Sequence, residues 1–334
     1  MTSADVRPHK KLKTSAMIAS IADENQPTRP APFGHALVEL ARQRSNIVGL
    51  SGDLAKYTDL HIFAREYPDQ FYQMGMAEQL LMGASAGFAR EGFMPFVTTY
   101  AVFATRRAYD FIAMDIAEEN LNVKIACALP GLTTGYGPSH QATEDIAIFR
   151  GMPNLTIVDP CDALDIEQAV PAIAAHDGPV YMRLPRGKVP VVLDDYPEYR
   201  FELGQAKRLT EGRDALIIAS GLMTMRALEA AEQLKKDGIH LRVVHSPTIK
   251  PLDDATILSE VQDVDGLTVV AENHSRVGGL GEAVASLLMR NRVASPFHQI
   301  ALPDEFLGAG ALPTLHDQYG LSTDAVVSQI KNWL

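Results

Sequence analysis

The sequence predicts an α/β protein built from two doubly wound domains, the first on a parallel sheet and the second smaller. Three observations carry this. Short apolar runs alternate with helical stretches along most of the chain. Those runs are continuously apolar, as in parallel strands covered on both faces. At 334 residues the chain is long for one core and comfortable for two.

The elements follow in order. Residues 1–32 are polar, carry Pro8, Pro27, Pro30 and Pro32, and read as an arm. A helix through Ala36, Leu37, Leu40 and Ala41 leads to the run Ile47 to Leu50, which ends at Ser51, Gly52 and Asp53. A strand-like Phe71 to Met74 follows, then a helix from Met76 to Arg90, a strand from Pro95 to Thr99, one long helix from Ala101 to Glu118, and a buried strand from Val123 to Leu129. Leu155 to Val158, a helix from Ala163 to Ala175 and Val180 to Leu184 complete a first domain at 33–197, which closes in the Pro- and Asp-rich segment Pro185 to Pro197. Runs at 215–219, 241–244 and 267–271, alternating with helices 225–236, 255–261 and 280–290, place a second domain at 204–334.

Composition excludes several classes. Hydrophobic residues at 46% against 21% charged argue for a folded chain. A formal charge of −11 argues against a nucleic-acid footprint, so any bound anion must be held by a few local groups. Cys127 and Cys161 lack metal-ligand spacing and suit a reduced, cytoplasmic compartment. No apolar run approaches membrane-spanning length, and the basic Lys10, Lys11 and Lys13 precede no signal core. Gly279-Leu280-Gly281-Glu282-Ala283-Val284 lacks the third glycine of a dinucleotide fingerprint.

Three segments carry candidate chemistry. Glu78, in Gly75-Met76-Ala77-Glu78-Gln79, begins a helix of apolar and small residues, where a carboxylate without a partner is costly to desolvate. A helix-dipole carboxylate is the equal alternative. The glycine-rich loop Gly131 to Gln141 follows a buried strand at the sheet edge where open α/β folds place ligands, and His140 in it can move protons near neutral pH. An exposed turn histidine is the plainer alternative. Arg183-Leu184-Pro185-Arg186-Gly187-Lys188 ends a strand, so that Arg186 can clamp a phosphate or carboxylate or sit in a solvated basic turn. Glu272-Asn273-His274 reads as a polar loop or subunit contact.

Taken together, Glu78, then Tyr100-Ala101-Val102-Phe103, then Gly137-Pro138-Ser139-His140-Gln141-Ala142-Thr143-Glu144-Asp145, then Arg186, form an ordered set that resembles the second half of transketolases and their thiamine-diphosphate-dependent relatives. The likeness runs from about Phe33 to the C-terminus. It implies a pyrimidine-binding domain followed by a transketolase C-terminal-like domain. It also implies that Glu78 contacts N1′ of the cofactor's aminopyrimidine, that Phe103 stacks on that ring with Tyr100 beside it, and that Asp53 lies close to the cofactor. His140 would approach the reacting oxygens, and Arg186 would hold the substrate's distal phosphate. The implied activity is transfer of a two-carbon ketol unit from a ketose to an aldehyde.

Departures from the family pattern matter as much. No Gly-Asp-Gly occurs, so the diphosphate and its Mg²⁺ are expected on a partner chain, an N-terminal transketolase subunit, in an assembly of two of each chain. Tyr136 stands where an aspartate usually reads sugar hydroxyls, and Ala128 stands near the place of a phosphate-binding histidine. Both point to a modified or branched sugar. Gln79 replaces a histidine that often follows the glutamate. A β-type subunit of a 2-oxo acid dehydrogenase, a deoxyxylulose-phosphate-synthase-like half and a noncatalytic scaffold are the alternative readings.

Overall fold

Strands with no polar face need cover on both sides, and the computed structural model provides it; it describes residues 26–264 and 266–334. The first part of the chain runs β1 (Thr28–Pro30), α1 (Pro32–Gln43), β2 (Ile47–Ser51), α2 (His61–Glu66), β3 (Phe71–Gln73), α3 (Glu78–Arg90) and β4 (Met94–Tyr100). It continues through α4 (Ala101–Arg107), α5 (Tyr109–Phe111), a π-helical turn (Ile112–Ala117), β5 (Lys124–Ala128), α6 (Asp145–Arg150), β6 (Thr156–Val158), α7 (Ala163–Ala175), β7 (Val180–Leu184) and β8 (Lys188–Pro190). The second part comprises β9 (Lys207–Arg208), β10 (Ala215–Ala219), α8 (Leu222–Lys235), β11 (Leu241–His245), β12 (Thr248–Lys250), α9 (Asp254–Asp263), β13 (Leu267–Ser275), α10 (Leu280–Arg290), β14 (Phe297–Leu302), α11 (Leu312–Gln318) and α12 (Thr323–Trp333).

Two sheets organise these elements. One has the order β12-β6-β7-β5-β4-β2-β3 and is parallel apart from β12 against β6; the other has the order β14-β13-β10-β11-β9 and is parallel apart from β9. Because β12 comes from the second part of the chain, the first sheet is completed by the second unit. The strands β2, β4, β5, β6 and β7 are buried along their whole length, as their mostly apolar runs predict, and they bury Lys124 and Arg183 with them.

Three expectations need correction. The single helix expected over 101–118 is broken after Arg107, and its second half is a π-turn in which Glu118 N–H bonds Ala113 O and Leu121 N–H bonds Ile116 O, five residues back. The arm expected over 1–32 is not wholly without structure, since Thr28–Pro30 pairs antiparallel with Lys188–Pro190 and α1 begins at Pro32; residues 1–25 of it lie outside the described residues. Glu272, Asn273 and His274 belong to β13, which is buried throughout, rather than to a polar loop.

Buried ions and hydrogen bonds fasten the two units. Arg183 on β7, 1% exposed, pairs with Asp145 (2.8 Å) and Asp159 (3.0 Å) and donates to Asn273 O of β13 (2.9 Å). Asp159 also accepts from Ser220 of the second unit. A second fastener joins Asp165 of α7 to His245 of β11 at 2.9 Å, with Thr224 on the other ring nitrogen. Cys161, Asp165 and His245 come within 4.8 Å of one another, but Asp165 already accepts from Cys161 N–H and the Tyr199 hydroxyl, so the cluster is a closed hydrogen-bonded set. Burial pushes both cysteine thiols up, which keeps them protonated and inert. Among the described residues no helix is long and apolar enough to cross a membrane.

Replacing Arg183 by Met should leave Asp145 and Asp159 buried without their cation, lowering stability by about 3–5 kcal/mol in denaturant unfolding. A loss below about 1 kcal/mol would show that this ion cluster does not hold the units together.

Candidate active site

The candidate residues converge at the carboxyl ends of β2, β4, β5 and β7. Tyr100 ends β4 and is 7% exposed. Burial raises its hydroxyl pKa, Arg186 opposes the shift, and Tyr136, Tyr57 and Asp53 reinforce it. The His140 ring centroid lies 6.1 Å from that of Tyr100, 5.4 Å from that of Phe103 and 5.3 Å from that of Tyr136. Tyr100 and Phe103 are themselves 5.7 Å apart. One loop and the junction of β4 with α4, more than thirty residues apart in sequence, thus build one aromatic cluster around an imidazole.

His140 is half-buried rather than an exposed turn residue, and its Nδ1 lies 2.9 Å from the Ser139 hydroxyl. Burial, assisted by the positive Arg107, lowers its pKa. The ring is therefore neutral at physiological pH and can accept a proton. Asp53 is exposed, two residues beyond the end of β2. Arg186 lies with its guanidinium 5.8 Å over the Tyr57 ring, and its buried Nε has no hydrogen-bond partner. Asp59 shapes the turn that carries Arg186 by accepting the Gly187 N–H at 2.9 Å. A cavity lined by Arg186, Thr133, Pro130, Arg183, Leu222 and Asn273 opens beside it, so the second unit lines the Arg186 side of the site.

Glu78 opens α3 and is 3% exposed. Both its carboxylate oxygens accept from Arg107 Nη1, at 3.0 and 3.1 Å, and the same guanidinium carbon lies 3.9 Å from the centroid of the Phe103 ring. Sequence reasoning missed Arg107. A signal was present, since Arg107 follows Phe103 by four residues and so shares its helix face.

The second unit clamps the loop that carries His140. Asn273 Oδ1 accepts the Leu132 N–H at 2.8 Å, and His316 Nε2 donates to Leu132 O at 2.8 Å. Gly310 N–H bonds Gly135 O, Gln141 Nε2 donates to Gly308 O, and Ser275 N–H bonds Thr143 O. Gly131, at φ +57°, passes so close to β13 that a Cβ there would stand 2.1 Å from Asn273 O. His274 accepts the Ala147 N–H on Nε2 and donates from Nδ1 to Ser275 O. Glu272 accepts the Leu280 and Gly281 N–H groups at the start of α10. None of these contacts has a local sequence signature.

Residues that bind a pyrimidine ring must offer a carboxyl group, an aromatic face and unsatisfied polar atoms, and all are present. Ser51 Oγ and Thr99 Oγ1 are buried without a partner at the ends of β2 and β4, and a Cβ on Gly52 would stand 3.3 Å from Gly75 O and 3.9 Å from Thr99 Oγ1. Fold and site together define a two-domain α/β protein that gathers a buried carboxylate, aromatic rings and an imidazole at the carboxyl ends of one mostly parallel sheet.

The comparisons agree. Residues 26–192 match the family described as "Transketolase, pyrimidine binding domain", and residues 204–326 match "Transketolase, C-terminal domain". The chain is 72% identical over 325 residues to the transketolase family protein y4mN of Sinorhizobium fredii, covering 97% of this chain and 94% of that one. It is 37% identical to the 6-deoxy-6-sulfo-D-fructose transketolase subunit SqwH of a Clostridium species, covering 87% and 89%. A solved structure entitled "Split gene transketolase, inactive beta4 tetramer" superposes with a TM-score of 0.83 at 40% identity, covering 91% of this chain and 97% of that one. The chain belongs to the transketolase family and corresponds to its C-terminal section.

Burial pushes the His274 imidazole down to about 4 from its ordinary 6.5. Between those values the unfolded chain takes up a proton that the folded chain refuses, so the stability contributed by neutral His274 is lost as pH falls from 6.5 towards 4. Facing groups include Glu272, raised to about 7 by burial, as well as Asp145 and Arg183, and these remain in a His274→Gln variant. The thermal midpoint of the wild type should therefore fall relative to that variant across this window. Parallel midpoints would remove His274 as an acid-sensitive clamp.

Proposed function

We propose that this chain is the C-terminal subunit of a two-chain transketolase that moves a two-carbon ketol unit from a ketose to an aldehyde. The observation that carries this reading is the convergence of Glu78, Phe103, Tyr100 and His140, linked through Arg107 and the ring contacts, while the sequence lacks Gly-Asp-Gly. Thiamine diphosphate supplies, when bound, a nucleophilic carbon able to accept a carbonyl fragment.

This chain's residues do the rest. Glu78 holds a proton at the pyrimidine N1′, and Phe103 and Tyr100 wall the ring from water. His140, neutral and flanked by Tyr136, exchanges protons with substrate oxygens. Arg186 fixes the distal anionic group of the sugar, with its unpartnered Nε available for that bond. Asp53, exposed beyond the end of β2, is the residue we place close to the cofactor. Tyr136 in place of a hydroxyl-reading carboxylate supports a modified or branched sugar, and a relative of similar length is named for a sulfonated one.

The diphosphate and Mg²⁺ fall to an N-terminal partner chain bearing Gly-Asp-Gly, in an assembly of two of each chain. Exposed apolar side chains beside Glu78 support such a neighbour: Met76 is 78% exposed, Leu80 57% and Met114 57%. Two free, buried cysteines support the cytoplasm as its place. The 2-oxo acid readings are not favoured, since split transketolase subunits match this chain over nearly their whole length. The domains we assign are 33–197 and 204–334.

Ketol transfer from a panel of ketose phosphates and sulfonates should appear only when this chain is mixed with its partner, thiamine diphosphate and Mg²⁺. Carbon dioxide from pyruvate with no sugar turnover would move it to the 2-oxo acid branch. In the active assembly, Glu78→Gln should cut turnover by about 10²–10⁴-fold with assembly intact; undiminished turnover would sink the proton-holding role. Arg186→Ala should raise KM for anionic donors by about 10- to 100-fold and leave neutral donors unaffected.

A further inference from the structure

Glu78 on α3 and the Phe103 ring on α4 already share a partner from the protein itself. Arg107 Nη1 reaches both oxygens of Glu78, and its guanidinium carbon stands 3.9 Å from the centroid of the Phe103 ring. A planar guanidinium stacked on an aromatic face, with an in-plane N–H on a carboxylate, presents the same two contacts as a protonated aminopyrimidine. Two planar groups cannot share that slot.

The surroundings are asymmetric in a telling way. Glu78 is 4% exposed at its side chain, whereas Arg107 is 45% exposed at its side chain. The carboxylate is fixed and the arginine can leave. Arg107 sits in the last turn of α4, and the chain breaks its helix at the next residue, Ala108. The neighbouring Arg106 is held differently, by Glu144 and by Pro138 O, and cannot take over the role.

We propose that Arg107 is a resident stand-in for the cofactor's aminopyrimidine, which occupies the Phe103 face and the Glu78 carboxylate until the ring arrives and displaces it into solvent. It keeps Glu78 from being buried without a partner in the chain before loading, and it makes seating of the ring a competition. This rests on the transketolase reading above, and it adds a residue that opposes binding rather than supporting it.

The test is thiamine diphosphate affinity, by calorimetry with Mg²⁺, of the complex of this chain with its Gly-Asp-Gly partner. Arg107→Ala should bind the cofactor roughly tenfold more tightly than wild type, with Arg107→Lys between them. Unchanged or weaker binding in the Ala variant, with assembly intact, overturns the stand-in. A second readout needs no variant. Phenylglyoxal modification of Arg107, followed in the wild-type complex by peptide mass analysis, should speed up when the cofactor is added. Protection of Arg107 by the cofactor would overturn the proposal and make it a ligand. A wild-type complex that binds no thiamine diphosphate would instead remove the transketolase reading, and the stand-in with it.

Discussion

Arg183 is the constraint on which the arrangement depends. A fully buried guanidinium is tolerable only if every donor finds an acceptor, and here the acceptors come from three places: Asp145 at the head of α6, Asp159 beyond β6, and Asn273 O on β13. Satisfying one side chain therefore sets the second sheet against the first. Asn273, once placed by its carbonyl, offers its side chain to Leu132, and the glycine-rich loop takes its course from there. The position of His140 follows from a cation that lies outside its pocket.

The second unit is thus the support of the loop that carries His140 rather than an appendage. Glycines at 131, 135 and 137 leave that loop few side chains to pack, Leu132 in the second unit's core being the main apolar anchor, and a free loop of this composition would sample many conformations. Bonds from Asn273, His316, Gly310 and Ser275 replace the missing packing with fixed polar contacts. Gly131 shows the closeness required, since any side chain there would meet the β13 backbone. Precision at His140 is obtained from residues more than a hundred positions away.

This explains which parts were legible in the sequence. The strands at 47–51, 180–184 and 215–219 announced themselves because a strand buried on both faces is mostly apolar, Arg183 being the one charged side chain among these three. Glu78, His140 and Arg186 stood out because polar residues at the ends of apolar elements are chemically conspicuous. Arg107 did not, because a second arginine after Arg106 reads as a solvated helix face. The break after Arg107 was hidden too, since the apolar spacing of a π-turn differs from that of an α-helix by one residue in five. Asn273 and His274 were read as loop, because strand β13 runs four residues beyond its apolar segment and becomes polar where it meets the other unit.

A carboxylate as buried as Glu78 forces a choice on any chain that carries half of a site. With no ligand it must be protonated, solvated or paired, and burial excludes the second while the chain supplies Arg107 for the third. The pairing keeps the free subunit stable, yet whatever replaces Arg107 must recover at least the stacking and the ion pair that its departure breaks. A ring held only by this chain would gain little from that exchange. On the function proposed above, a ring tethered to a diphosphate held elsewhere would bring its own affinity to that exchange. The buried charge of Glu78 thus explains why this half of the site carries its own counter-ion, Arg107.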